Sequence, residues 1–422
     1  MGKIWTRGRK VLVATAAVGA LVALAGCSGS GAGTDSSGKA NLTQFYHQYG
    51  EDGVKEAVTQ WAADYKDANI DVQWVTGDYN KKVTALLLAG KGIDIFENNQ
   101  IDVQSARQGK YADLTDIVKP VADKMSPIAL KPVAIDGKYY GVPMITDSQL
   151  FMYRKSMFTA AGITTPPATW QEFVADVKKL TTSEHKGLFI GNDGGSGVLA
   201  ANGPAAAGTG LLNSDNTKVT FDSADFASAV SDLKDLYSGG NLLTGAATDW
   251  WDPTSFIAGD AAITWQGLWA VPAIEKALGD DVGAFAFPSI GSSGTPEVGV
   301  SQWNMQVAAS STNVAAATAV VKAQWIDDTA WQQKFAVDFG LHIPPLTATA
   351  DSTTKLQSGL PKDIVDLTTK YGYTAGPFWT PAMGTVLSDA VTNSVTNGAD
   401  ATSELSKASS TAQGLLDELN TK

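Results

Sequence analysis

The sequence predicts an α/β fold of mainly parallel sheets, divided into two domains or lobes. Three observations carry that expectation. From Leu42 onward, short runs of strand character alternate with amphipathic helical segments, a pattern that lays helices over a parallel sheet. Of the 422 residues, 396 follow Gly26, more than one hydrophobic core usually organises. The composition is 44% hydrophobic and 18% charged, which is that of a globular chain and not of a disordered one.

The N-terminus is a separate matter. Lys3, Arg7, Arg9 and Lys10 precede an apolar stretch from Val11 to Ala25. That stretch is shorter than the roughly 17–25 residues a spanning helix needs. A basic segment, a short apolar segment and small residues before the break define a secretory signal peptide over residues 1–26. Leu24-Ala25-Gly26-Cys27 resembles the lipobox of bacterial lipoproteins, in which the cysteine is lipidated and becomes the mature N-terminus. Residues 27–40 are mostly Gly, Ser, Ala, Thr and Asp and are expected as a flexible linker. Inside it, Gly33 to Lys39 has the spacing of a phosphate-binding loop. Ala40 replaces the required Ser or Thr and no strand precedes it, so that reading is rejected.

The elements follow in order. Ile70–Trp74 alternates with period two, as a half-exposed strand does. Lys82–Leu88 reads as a helix closed by Gly90, and Ile93–Phe96 as the next strand. Leu150–Tyr153 is a continuous apolar run suited to a buried strand. Thr169-Trp170-Gln171-Glu172 is a capping box opening a helix with Phe173, Val174, Val177 and Leu180 on one side. Leu188–Ile190 is a further apolar run. An amphipathic helix near Phe226–Tyr237 stops at Gly239-Gly240, a strand covers Ala261–Trp265, and a final helix runs from about Ser403 to Leu419.

Charge and chemistry narrow the function. The formal charge is −12; removing the four signal-peptide cations leaves a mature chain near −16. That argues against nucleic acid or anionic lipid as the ligand. Cys27 is the single cysteine, so no disulfide staples the folded part. His47, His185 and His342 lack ligand spacing, and no metal or cofactor is expected. No GxSxG elbow is present. A glycosidase pair stays open, because that mechanism needs only two placed acids. The aromatic residues point elsewhere: Trp250-Trp251, Trp269, Trp303 and Phe378-Trp379 all set rings beside polar side chains. An indole offers a broad apolar face and one N–H donor, which complements the C–H face and hydroxyl rim of a sugar. Trp170, inside a capped helix start, reads as core.

Several segments are familiar in their order and spacing. Gly141-Val142-Pro143, Asp147 and Leu150–Lys155 are followed by Ala161-Gly162-Ile163 and Pro166–Phe173, then by Phe256–Gly267. Together they resemble the extracellular solute-binding proteins of ABC importers, specifically the carbohydrate-binding group that includes maltodextrin-binding protein. The resemblance spans most of residues 41–422. It implies a two-lobed, periplasmic-binding-protein-like fold of type II with a hinge of crossing strands near Thr146–Ser148, Val300–Gln302 and His342–Pro345. One lobe would comprise 41–146 and 301–345, the other 147–300 and 346–422. Ligand would sit in the cleft and be delivered to membrane permease subunits, with the lipid anchor at Cys27 as the protein's own tie to the outer face of the membrane and a monomer as the working form. Asp147 matches the family's acidic hinge position and Trp269 its stacking aromatic. Tyr46, His47, Tyr49, Glu97 and Asn98 follow first-lobe strands where family members contact ligand. Asn192 and Asp193 open a Gly-rich loop at the cleft edge, and Phe378 and Trp379 lie near a family aromatic. Two competing readings are a lipid-anchored glycoside hydrolase and the same fold binding another small solute.

Overall fold

A computed structural model describes residues 33–421. Cys27, the signal peptide and residues 28–32 of the expected linker lie outside the described residues. The strands are β1 (Gly33–Thr34), β2 (Ala40–His47), β3 (Ala68–Val75), β4 (Ile95–Asn98), β5 (Ala134–Ile135) and β6 (Lys138–Tyr139). They continue with β7 (Val142–Arg154), β8 (Lys186–Phe189), β9 (Ala261–Gly267), β10 (Val282–Phe285), β11 (Val298–Val307) and β12 (Gly372–Tyr373). Ten of them join in one sheet whose main path is β1-β2-β4-β11-β7-β9-β8, and β5 pairs β6 apart from it.

Capping chemistry sets where the helices begin and end. The helix Trp170–Leu180 opens on the expected capping box: Glu172 N donates to Thr169 Oγ1 at 3.3 Å, and Thr169 N donates back to the Glu172 carboxylate at 3.0 Å. Trp170 in its first turn is buried, with its indole N–H on Asp232 at 3.1 Å. The helix expected over Lys82–Leu88 runs Tyr79–Ala89, because Asp78 accepts from Lys81 N and starts it early. Gly90 closes it at φ 64°, where a side chain would be strained.

The sheet departs from expectation in one respect. Parallel pairs sit toward its two ends, β2 with β3 and β4, and β8 with β9, while the middle pairs are antiparallel apart from the short parallel pair of β11 with β12. β7 runs opposite to β9, β10 and β11, and β11 runs opposite to β4. The chain goes across along β7 and returns along β11, so neighbours there must point in opposite directions. Leu150–Tyr153 reads as a continuous apolar run because β7 is covered on both faces. Phe151 faces a cluster with Phe173, Trp265 and Phe285, while Leu150 and Met152 join one with Met305, Trp325 and Phe335.

Residues 33–40 correct the linker boundary. Gly33 and Thr34 pair with Asn41 and Ala40, and Asp35 closes the turn by accepting from Ser37 N at 2.8 Å and Lys39 N at 2.9 Å. The Asp and Ser that suggested a flexible tether form a local hydrogen-bonded turn instead.

One buried group is costly. Glu297 holds the bridge to Phe287 with its backbone, yet neither of its buried carboxyl oxygens meets a hydrogen-bond donor among the described residues. Burial pushes its pKa well above the ordinary carboxylate range. A raised acid is stabilising while protonated, so its contribution falls as pH climbs from about 4.5 through the folded value. Replacing Glu297 with Gln should flatten that decline. Unfolding free energies measured at pH 5 and pH 9 should diverge between the two proteins by about 1.4 kcal/mol for each pH unit of the elevation traversed. Identical pH profiles would show that Glu297 ionises freely.

Candidate binding site at the crossing strands

The three segments expected to cross lie side by side. Ser301 of β11 pairs with Asp147 of β7, and Val300 with Ser148. On the other edge of β7, Thr146 N donates to Ile343 O at 3.0 Å and Ile343 N to Thr146 O at 2.9 Å. Antiparallel partners project to the same face, so Asp147, Gln149, Ser301 and Trp303 share one. Gln149 Nε2 donates to Ser301 Oγ at 3.0 Å across that face. Three groups of side chains meet this band.

At one end, His47 stacks on Trp303 with ring centroids 4.0 Å apart and planes at 14°. Glu97, at the end of β4, is fully buried and accepts from His47 N and from Tyr49 OH at 2.6 Å, with His47 Nδ1 at 2.5 Å. The carboxylate therefore fixes both rings. At the other end, Gly267 of β9 lies opposite Gln149, and the Trp269 indole folds over it so closely that a Cβ would collide with the ring. Trp269 Nε1 donates to Trp251 O at 3.1 Å, and Trp250 lies 6.1 Å away at 52°. Trp251 remains 54% exposed.

Between the two ends sits a buried charge cluster. His342 Nδ1 bonds Asp147 Oδ1, and His342 Nε2 lies 3.5 Å from Glu51 Oε1. Burial alone would lower the His342 pKa, but the Asp147 carboxylate and then Glu51 outweigh it and hold it at about 10. Glu51, although burial would raise it, is kept below its usual value by His342. Gly340 is required nearby, since a Cβ there would press on the imidazole.

Along β11, residues 298–299 pair with β12 and 304–307 with β4, leaving the edge between them open. A cavity of 340 Å³ occupies that gap, bounded by Asn99, Gln100, Ser301, Gln302, Trp379 and Gly384. Gln100 Nε2 donates to Trp379 O at 2.7 Å across it.

Six expected residues are engaged elsewhere in the fold. Tyr46 is fully buried, stacked on Trp74 at 5.2 Å with its hydroxyl on Gln44, because it points inward from β2. The Asn192 side chain is occupied by the loop Ala246–Thr248, bonding Ala246 N at 2.8 Å. Asp193 caps the helix Ser196–Ala206 through Gly195 N and Gly197 N. The Trp379 ring is 8% exposed and packs against Phe221, so its carbonyl is the group it presents to Gln100. Phe378 lies under the Arg107 guanidinium at 5.5 Å. Asn98 bonds Asn304 through its carbonyl. Sequence reasoning missed Gln149, Ser301, Glu51, Gln100 and His342 as site residues. Placing the predicted crossings beside one another would have exposed Ser301 and His342.

This geometry belongs to a known class. The profile of the bacterial extracellular solute-binding proteins matches residues 20–361, and the chain belongs to that family. A diacetylchitobiose binding protein of Streptomyces coelicolor is 27% identical over 193 residues, 41% of this chain and 43% of that protein. A putative binding protein of Brucella abortus is 35% identical over 91 residues, 21% of this chain and 22% of that one. The matched stretch thus spans under half the length of either relative. An ABC-transporter solute-binding protein from Thermotoga lettingae, solved with α-D-tagatose, has a TM-score of 0.75 at 20% identity, covering 89% of this chain and 99% of that one. The fold is accordingly the type II periplasmic-binding-protein fold. Among the described residues, no helix is long and apolar enough to cross a membrane.

His342 makes the hinge sensitive to alkali. Its folded pKa of about 10 exceeds the ordinary 6.5, so its contribution is complete below pH 6.5 and is lost as pH rises through 10. The wild-type melting temperature should fall more steeply between pH 7 and 10 than that of His342→Gln. Parallel curves would mean that the Asp147–His342–Glu51 contact adds nothing to stability.

Proposed function

We propose that the protein captures a neutral carbohydrate, an oligosaccharide by preference, and delivers it to the permease of an ABC importer without chemically altering it. The observation that carries this reading is the band across the crossing strands. Indole and imidazole rings stand at both of its ends, with amide, hydroxyl and carboxylate groups between them. Rings bind the apolar face of a sugar, and paired polar groups bind its hydroxyls. The sugar ligands of the Streptomyces and Thermotoga proteins support the same class. The lobes would be 41–146 with 301–345, and 147–300 with 346–422, closing on ligand as a population shift toward the form that contacts it from both sides. The protein acts as a monomer on the outer face of the membrane, tethered through a lipid on Cys27.

A thermal-shift screen over mono-, di- and oligosaccharides tests the reading, since a ligand at a hundred times its dissociation constant adds about 2.7 kcal/mol. Shortened products after incubation with labelled oligosaccharides would favour the hydrolase instead. Trp269→Ala should weaken sugar binding by about thirtyfold, the equivalent of about 2 kcal/mol at a desolvated aromatic contact. Calorimetry giving near-normal affinity would assign Trp269 to packing over Gly267. For the anchor, Cys27→Ala should release the protein into the medium or leave it with an uncleaved signal. Membrane retention of a processed Cys27→Ala protein would exclude lipidation there.

A further inference from the structure

Next to the space beside the crossing strands lies a second cavity of 570 Å³. The two cavities share the walls formed by Asn99, Gln100, Pro377, Thr380 and Pro381. At that shared wall the Gln100 side chain reaches to Trp379 O. Beyond it, the larger cavity runs along the helix Tyr79–Ala89. Both volumes fall within the roughly 300–1,000 Å³ typical of small-molecule sites.

The lining has the chemistry of a sugar compartment. Val83 and Leu87 give an apolar wall, and Leu88, 69% exposed, extends it at the rim. Asn80 and Thr84 project from the same helix, and Asn99 from the β4 loop, with no partner for these side chains among the described hydrogen bonds. One cation and one anion line the cavity, Lys110 and Asp102, and Asp102 is already engaged with Ser105 N at 2.6 Å. A charged ligand would find no answering charge in excess. A polyhydroxylated ring would find C–H contact and free amide and hydroxyl groups together.

We propose that this cavity is a second carbohydrate compartment, so that the protein holds a neutral sugar chain longer than a disaccharide, running from the crossing strands past Gln100 to the helix Tyr79–Ala89. The inference rests on the carbohydrate reading and extends it to ligand length. The test is calorimetry with malto-oligosaccharides and N-acetylchito-oligosaccharides of two to six units. Wild-type affinity should rise from the disaccharide to the longer members of the series that binds. The double variant Asn80→Leu/Thr84→Ile fills the compartment and removes its polar groups from exposed positions. It should keep disaccharide affinity within about twofold and lose tenfold or more for the longer chains. Leu88→Glu at the rim is a second variant that cannot disturb the core, and it should show the same selectivity. Affinity independent of length in the wild type, or equal losses at every length in both variants, overturns the second compartment while leaving the carbohydrate reading standing. Failure of every sugar to bind the wild-type protein overturns both.

Discussion

Everything at the candidate site hangs on the register of β7 against β11. These two long strands run antiparallel through the middle of the sheet, and their pairing sets Asp147 opposite Ser301. A one-residue slip would turn Asp147, Gln149, Ser301 and Trp303 to the other face and bring Ser148 and Val300 in their place. The register is held from both sides. Apolar residues of β7 alternate between two core clusters, Phe151 in one and Leu150 and Met152 in the other, so neither face tolerates a shift. The third crossing adds the Thr146–Ile343 bridge and brings His342 to Asp147. The ring platforms are then attached to a frame that packing has already fixed.

Local chemistry was legible in the sequence, and long-range approach was not. The capping box at Thr169, the glycine stop at Gly90 and the burial of Leu150–Met152 are consequences of neighbours in the chain, and they could be read there. The mixed direction of the sheet depends on how distant strands meet, and period-two patterns look the same in parallel and antiparallel pairs. The site divides along the same line. Trp269 and Asp147 were marked by resemblance, but their settings come from afar: Trp251 O for the indole, and His342, 195 residues away, for the carboxylate. Asn192 and Asp193 misled because residues that bind sugar hydroxyls also bind their own backbone, and in a glycine-rich turn the backbone is nearer. Tyr46 misled through parity, since the neighbouring His47 takes the outward position on β2.

Rigidity at the aromatic positions has a physical consequence. Trp269 is fixed by its N–H to Trp251 O and by the missing side chain at Gly267. His47 is fixed by Glu97 and by its stack on Trp303. Rings ordered before ligand arrives lose little side-chain entropy on binding, a cost of about 0.5–1.5 kcal/mol for each rotamer-rich side chain immobilised at an interface.

The carboxylates of the site decide among the possible ligands and chemistries. Glu97 accepts from a backbone N–H and a tyrosine hydroxyl and pairs with His47, and Asp147 is bonded to a His342 held in its charged form. An amine-bearing ligand would meet carboxylates whose strongest partners are already supplied by the chain, so a polyamine gains little from them. A peptide would need a cation for its carboxyl terminus, and His342 is closed between two acids. A glycosidase acid must hold a proton to give to the leaving oxygen. Here both oxygens of Glu97 are taken up by donors of the chain itself, and Asp147 is held against His342. Carboxylates engaged in this way orient the rings beside them, and the fixed rings are arranged to hold a sugar.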